Sequence, residues 1–217
     1  MTADIDGSRR RQLPEPSGTP TVFVVDDDVS VRESLAGLLS YVGWHVETFA
    51  SAEEFLGRPA TLTPSCLVLD VSLPDLNGLD LQERMAIDCV DIPIIFITGH
   101  RNIPMTVRAM RAGAVDFLVK PFSQELLLAA ITGALERSIR SIVQAAALQE
   151  LRVRYASLSV REREVMALVT SGKLNKYVGR DLGISEITVK AHRGRVMYKM
   201  AAESLADLVR IATSLRC

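Results

Sequence analysis

The sequence predicts a doubly wound α/β domain on a five-stranded parallel sheet, followed by a long linker helix and an all-α, four-helix helix-turn-helix domain. Three observations carry this. From Thr21 onward, short apolar runs alternate with amphipathic segments. No proline interrupts residues 122–156, where apolar residues recur at helical spacing. After residue 157 the pattern restarts as short helices with a Gly and Ser corner. Charge divides the same way: residues 20–133 hold 7 Lys and Arg against 15 Asp and Glu, and residues 157–217 hold 11 against 6. An acidic front and a basic back point to two domains with different partners, the basic one suited to nucleic acid.

The first 20 residues, with Arg9, Arg10 and Arg11, are polar and rich in Gly and Pro, which predicts a disordered tail with a solvated charge run. Strands are expected near 21–25, 44–49, 66–70, 93–97 and 115–119, and helices near 30–42, 51–57, 78–88, 103–112 and from 124 onward. Continuous Val, Ile, Leu and Phe runs mean strands covered on both faces, as in a parallel sheet with right-handed crossovers. Two helix starts carry capping boxes, Ser30 with Glu33 and Ser51 with Glu54. Asp28, just past the first strand, reads as a helix cap rather than a metal ligand. The helix opening near Ser123 continues through Leu128, Ile131, Leu135, Ile139, Ile142 and Ala146. At the standard rise, about 30 residues reach ~45 Å, so its second half reads as a stiff linker. Its apolar stripe fits equally a dimer seam or packing on its own domain.

The domains expected are a tail at 1–20, a sheet domain at 21–138, a linker at 139–156 and a basic domain at 157–217. In the last, Ser159 and Glu162 form a capping box, and helices are expected near 160–171, 174–182, 186–200 and 203–214. Ile187, Val189, Val196 and Met200 are available for packing, while Lys190, His192, Arg193, Arg195 and Lys199 suit phosphate and guanine contacts from a major-groove helix. Cys66, Cys89 and Cys217 are too few and too scattered for a disulfide framework or a zinc site and read as reduced cytosolic thiols. No apolar run approaches a membrane span and no apolar signal core opens the chain, so a cytoplasmic protein with no membrane partner is expected.

Ligands of such sheets bind beyond the carboxyl ends of the strands. The residues there are Asp26, Asp27 and Asp28 after strand one, Asp70 after strand three, Thr98 after strand four and Lys120 after strand five. Crowded carboxylates repel unless a cation lies among them, and Mg²⁺ takes one or two carboxylates plus waters and phosphate oxygens. If Asp70 attacks a phosphoryl group, charge builds on three equatorial oxygens. Mg²⁺ on Asp26, Asp27 and Asp70, the Thr98 hydroxyl and the Lys120 ammonium answer one each.

With these residues, the stretches LVLDVSLPDLNGLDL, IFITGH and DFLVKPF, and an acidic pair at Asp26 and Asp27, residues 21–140 resemble the CheY-like receiver domain of bacterial two-component response regulators. The resemblance implies Asp70 as phosphoacceptor, Thr98 as switch, Lys120 as the essential ammonium, and Mg²⁺ on Asp26, Asp27, Asp70 and the backbone carbonyl of Ser72. It also implies Phe117 as an aromatic switch without the hydroxyl of the more usual Tyr. Residues 158–200 and the stretch SLADLV resemble the LuxR-type DNA-binding domain in its NarL/FixJ branch. TGHRNIPMTVRAMRAGAVDF is similar to the FixJ-like subgroup, with Asn102 where that group often has Asp. Carried over by position, DNA contacts fall to Thr188, Val189, Lys190, His192 and Arg193, with Lys176 and Arg195 on the backbone and Leu205 and Leu208 at a dimer contact. Gly179 stands where the family prefers Ala, which implies a softer scaffold helix. The implied function is a transcription factor, an activator in the commoner case, phosphorylated by a histidine kinase, with at most slow self-catalysed phosphoryl transfer and dephosphorylation and no other enzyme activity. It would bind promoter DNA as a phosphorylation-induced homodimer and work with RNA polymerase.

Two other readings use the same residues. A haloacid-dehalogenase-like phosphatase would make Asp26 its nucleophile, with Asp28, a Thr and a distant Lys. The short chain and the Asp70 carboxylate at strand three weigh against it. An interaction module with a basic tail for protein is the other, separable from DNA binding by salt dependence.

Overall fold

A computed structural model describes residues 18–61, 63–74, 76–88, 90–99 and 102–215. Arg9, Arg10, Arg11, Cys89, His100 and Cys217 therefore lie outside the described residues, as does most of the expected tail. The chain divides into two compact units, Met1–Val143 and Gln144–Cys217.

In the first unit the elements run β1 (Thr21–Val25), α1 (Val29–Tyr41), β2 (His45–Phe49), α2 (Ala52–Leu56), β3 (Ser65–Asp70), α3 (Gly78–Ile87), β4 (Ile94–Thr98), α4 (Ile103–Arg111) and β5 (Asp116–Val119), then into α5 (Gln124–Ala156). The five strands are parallel in the order β2-β1-β3-β4-β5. Period-two alternation splits the apolar runs of β1, β3 and β4 between two cores. Phe23, Val25, Leu67, Leu69 and Phe96 face α2, α3 and α4, where Phe55, Leu81, Met85 and Ala109 meet them. Val22, Val24, Cys66, Val68, Ile95 and Ile97 face α1 and α5, where Leu39, Leu127 and Ile131 close the other side. β1, β3 and β4 are buried on both faces as expected. β2 is not, because it is an edge strand whose polar His45, Glu47 and Thr48 stay exposed.

Two caps differ from the sequence pattern. α1 begins at Val29 and its cap is Asp28, whose carboxylate accepts the Ser30 and Val31 amides at 2.8 and 3.4 Å, so Ser30 caps nothing. Ser51 accepts the Glu54 amide at 3.1 Å, but Glu54 reaches back to Ala50 rather than to Ser51. Near the opposite end of the sheet from Asp70, the buried Ser65 amide donates to the Ser138 hydroxyl at 3.0 Å, tying the start of β3 to α5.

The second unit holds the rest of α5 with α6 (Val160–Thr170), α7 (Asn175–Leu182), α8 (Glu186–Met200) and α9 (Leu205–Ser214). Leu158, Val165, Met166, Val169, Val178, Val189, Val196, Met200 and Leu208 form its core. The turn from α7 to α8 uses Gly183 in the left-handed region at φ +67° and Ser185 as the cap of α8, accepting the Thr188 amide at 3.1 Å. Gly179 has a packing role besides: a Cβ there would stand 2.7 Å from the Ile184 carbonyl oxygen, so the glycine lets α7 press against the turn. Ile187 is a correction: it is exposed, not packed.

The Ser159 and Glu162 capping box is complete, and buried Glu162 also accepts Lys199 at 2.7 Å. Lys199 donates to the Ser157 carbonyl as well, at 3.1 Å, so its ammonium fastens the end of α8 to the start of α6 rather than facing a ligand. The Lys199 hydrogen bond, with the Ser159 amide, holds the Glu162 carboxyl below the usual range. A depressed folded pKa contributes stability above the unfolded value, and that stability is lost as pH falls through the folded one. Lys199→Met should lower the hydrogen-exchange protection of the α6 amides severalfold at pH 6. The loss should shrink as pH falls through the lowered pKa of Glu162, where the wild type also loses the ion pair.

Candidate functional site

Because β1 and β3 pair with Val25 opposite Leu69, Asp26 and Asp70 leave neighbouring strands at the same level. β4 follows with Ile97 opposite Asp70, and β5 with Val119 opposite Thr98, so Lys120 emerges at that same rim. Asp26, Asp70 and Thr98 are buried, Lys120 is half-buried and Asp27 is exposed. Ligand oxygens of Asp26, Asp27 and Asp70 lie within 4.8 Å of one another. The three aspartates and Lys120 therefore form one cluster.

Its hydrogen bonds are unequal. Asp26 is fully engaged: one oxygen accepts the Asp28 amide at 2.9 Å and the other the Lys120 ammonium at 2.7 Å. Asp70 keeps Oδ1 buried without a hydrogen-bond partner, 3.8 Å from the Lys120 nitrogen. Burial raises the Asp70 carboxyl above the usual range; Lys120 opposes the rise, and the Asp26 and Asp27 carboxylates add to it. An orphaned, desolvated carboxylate oxygen beside two more carboxylates is a donor set that fits a hard divalent cation. The turn after Asp70 is held by Gly78, where a Cβ would lie 2.7 Å from the Asp70 carbonyl oxygen and 3.2 Å from the Phe96 ring. Asn77 caps α3 at that point by accepting the Leu79 amide at 2.9 Å. Ser72 follows two residues beyond Asp70 and is exposed. Phe117 is half-buried, with its ring centroid 6.0 Å from that of Phe96. Asn102 is the cap of α4, accepting the Met105 amide at 3.2 Å.

One functional residue has no place in the sequence pattern. Arg32, one turn into α1, donates to the carbonyls of Asp26 at 2.7 Å and Asp27 at 2.9 Å, clamping the loop that presents the acidic pair. Its spacing from the aspartates is the only signal, and the Ser30 capping pattern hides it.

In the second unit Thr188, Lys190, Lys176 and Arg195 are exposed, while His192 and Arg193 are half-buried. Lys190 pairs with Glu186 at 3.3 Å, a surface contact a phosphate can replace. Val189 is fully buried in the core and cannot touch DNA from there. Leu208 is likewise core and offers a second copy no surface, whereas Leu205 and Val209 are the large apolar residues of α9 most exposed to solvent.

Residues 22–132 match the family described as the response regulator receiver domain, and residues 156–212 match bacterial regulatory proteins of the luxR family. The chain is 49% identical over 215 residues to Nodulation protein W of Bradyrhizobium diazoefficiens, covering 99% of this chain and 95% of that one. It is 41% identical over 191 residues to the transcriptional regulatory protein FixJ of the same organism, covering 88% and 93%. The solved structure of the response regulator StyR superposes with a TM-score of 0.78 at 45% identity, covering 90% of this chain and 99% of that one. The chain belongs to the response regulators. This regulator joins a receiver to a LuxR-type DNA-binding domain, which makes it a transcription factor and not an enzyme of the ordinary kind. A receiver implies a kinase partner, and the second domain implies DNA. Among the described residues no helix is long and apolar enough to cross a membrane.

In this response regulator the Asp70 carboxylate costs stability. A raised folded pKa means that the folded state favours the protonated acid, and that contribution is lost as pH rises through it. Asp70→Asn should therefore raise the melting temperature at pH 7 by a few degrees in the absence of divalent cations. Differential scanning calorimetry reads it; an unchanged or lower melting temperature shows that the buried carboxylate carries no such cost.

Proposed function

We propose that Asp70 is the phosphoacceptor of this regulator and that its phosphorylation controls DNA binding. The observation that supports this best is Asp70 Oδ1, buried without a hydrogen bond and 3.8 Å from the Lys120 ammonium. In the reaction, Oδ1 attacks the phosphorus of a kinase phosphohistidine, the P–N bond breaks, and the histidine leaves with the electron pair. Mg²⁺, held by Asp26, Asp27, Asp70 and the Ser72 carbonyl, would neutralise charge on the phosphoryl oxygens when bound. Arg32 keeps the carbonyls of the acidic pair fixed. The Lys120 ammonium, bonded to Asp26, stands near enough to Asp70 to pair with a transferred phosphoryl group. The Thr98 hydroxyl hydrogen-bonds a phosphoryl oxygen, and Phe117 follows Thr98 to remodel the surface of α4, β5 and α5.

With this role for Asp70 go a receiver at 21–138, a linker at 139–156 and a DNA-binding domain at 157–217, preceded by the tail at 1–20. Thr188, Lys190, His192 and Arg193 contact promoter DNA, and Lys176 and Arg195 contact its backbone. The phosphorylated regulator dimerises through Leu205 and Val209 and activates transcription with RNA polymerase in the bacterial cytoplasm. The phosphatase alternative loses ground because Asp26, its nucleophile, has both oxygens engaged.

With Mg²⁺ and acetyl phosphate, the full chain should accumulate one acid-stable, base-labile phosphate per chain, read by intact-mass spectrometry. Asp70→Asn should accumulate none, and Lys120→Met should retain less than about a tenth, the loss of one charge-stabilising group. Continuous release of phosphate that disappears in Asp26→Asn would restore the phosphatase reading.

A further inference from the structure

We propose that the outermost ridge of α8, formed by Ile187 and Ala191 with Gly194 in line, reads thymine methyl groups in the major groove. The inference rests on the DNA-binding reading above and supplies it with a source of base preference.

The helix itself sets the geometry. Val189, Val196 and Met200 are all fully buried and define the inward face of α8. At 3.6 residues per turn, positions 187, 191 and 194 fall together on the opposite face. All three are exposed, and Ile187 is 80% exposed, so packing within the domain does not account for an isoleucine there. A Cβ on Gly194 would meet nothing within 4 Å, so the ridge tapers from a branched side chain to none, and the helix can approach a surface closely along it. Helical spacing puts Lys190 on one flank and Arg195 on the other, both exposed, where phosphates bordering the groove are reached.

Chemistry narrows the ligand. The side chains of the ridge carry no donor and no acceptor, so they cannot read base edges by hydrogen bonding. The apolar feature that a base pair presents in the major groove is the C5 methyl of thymine. Ile187, on the first turn of α8, stands where a recognition helix meets base edges. Tyr198, 87% exposed, prolongs the same line toward the other end, where a helix leaving the groove offers its phenol to the backbone.

The test begins with duplexes selected from a random pool by the full chain in Mg²⁺ and acetyl phosphate. Each thymine of the selected site is then replaced singly by uracil, which removes one methyl and keeps every hydrogen bond. At least one thymine per half-site should bind the wild type about fourfold more weakly as uracil, the effect of one methyl left unburied. Ile187→Ala, with a melting temperature like that of the wild type, should bind the two duplexes equally. A flat uracil scan with the wild type overturns the inference, as does an undiminished uracil penalty in Ile187→Ala or a variant that binds neither duplex. Selection that enriches no sequence would instead overturn the DNA-binding reading itself.

Discussion

One ammonium stands between two buried carboxylates that leave adjacent strands at the same level, and the rim of the sheet is organised around that shortage of positive charge. Lys120 lies 2.7 Å from Asp26 and 3.8 Å from Asp70, so it satisfies the first and leaves the second short of a partner. The Asp28 amide and the Lys120 ammonium occupy Asp26, and Arg32 occupies the carbonyls behind it, so of the two buried carboxylates Asp70 is the one left in need. A divalent cation on these carboxylates relieves the imbalance, and a phosphoryl group placed on Asp70 would bring further oxygens within reach of Lys120. The sheet makes the arrangement durable, because β1, β3 and β4 are buried throughout and cannot slide without moving every core side chain to the wrong face.

Much of this rim is legible in the amino-acid sequence. Parallel-sheet strands announce themselves as uninterrupted Val, Ile, Leu and Phe, and residues that break the run, such as Asp26, Asp70, Thr98 and Lys120, mark the strand ends where sites lie. Less legible is anything set by one side chain's choice among partners. Both Asp28 and Ser30 are good caps by composition, and which one caps α1 depends on where the strand releases the chain. Arg32 carries no mark of a clamp, since its acceptors are backbone carbonyls without a sequence signature. The edge position of β2 is equally hidden, because strand order is a property of the crossovers.

In the basic unit the helices are readable from spacing and from the Gly183 and Ser185 corner, but composition does not say which residues of α8 face outward. Val189 and Leu208 go to the core, and Ile187, expected there, goes to water. The helical period decides this once its inward face is fixed by Val189, Val196 and Met200. Lys199 shows the converse: a cation that composition assigns to DNA holds the capping box of α6 through Glu162. Gly179 shows why propensity alone misleads, since the space it leaves is taken by the Ile184 carbonyl.

The most direct measurement of the role of Asp70 is a crystal structure of the full chain grown with Mn²⁺ and beryllofluoride, a phosphoryl mimic that bonds to a carboxylate oxygen. A phosphoacceptor at this position requires beryllium on Asp70 Oδ1, Lys120 moved onto a fluoride, and an anomalous metal peak about 2.1 Å from carboxylate oxygens of the Asp26, Asp27 and Asp70 cluster. Beryllium bonded to Asp26, or a metal bound away from those three aspartates, would contradict it.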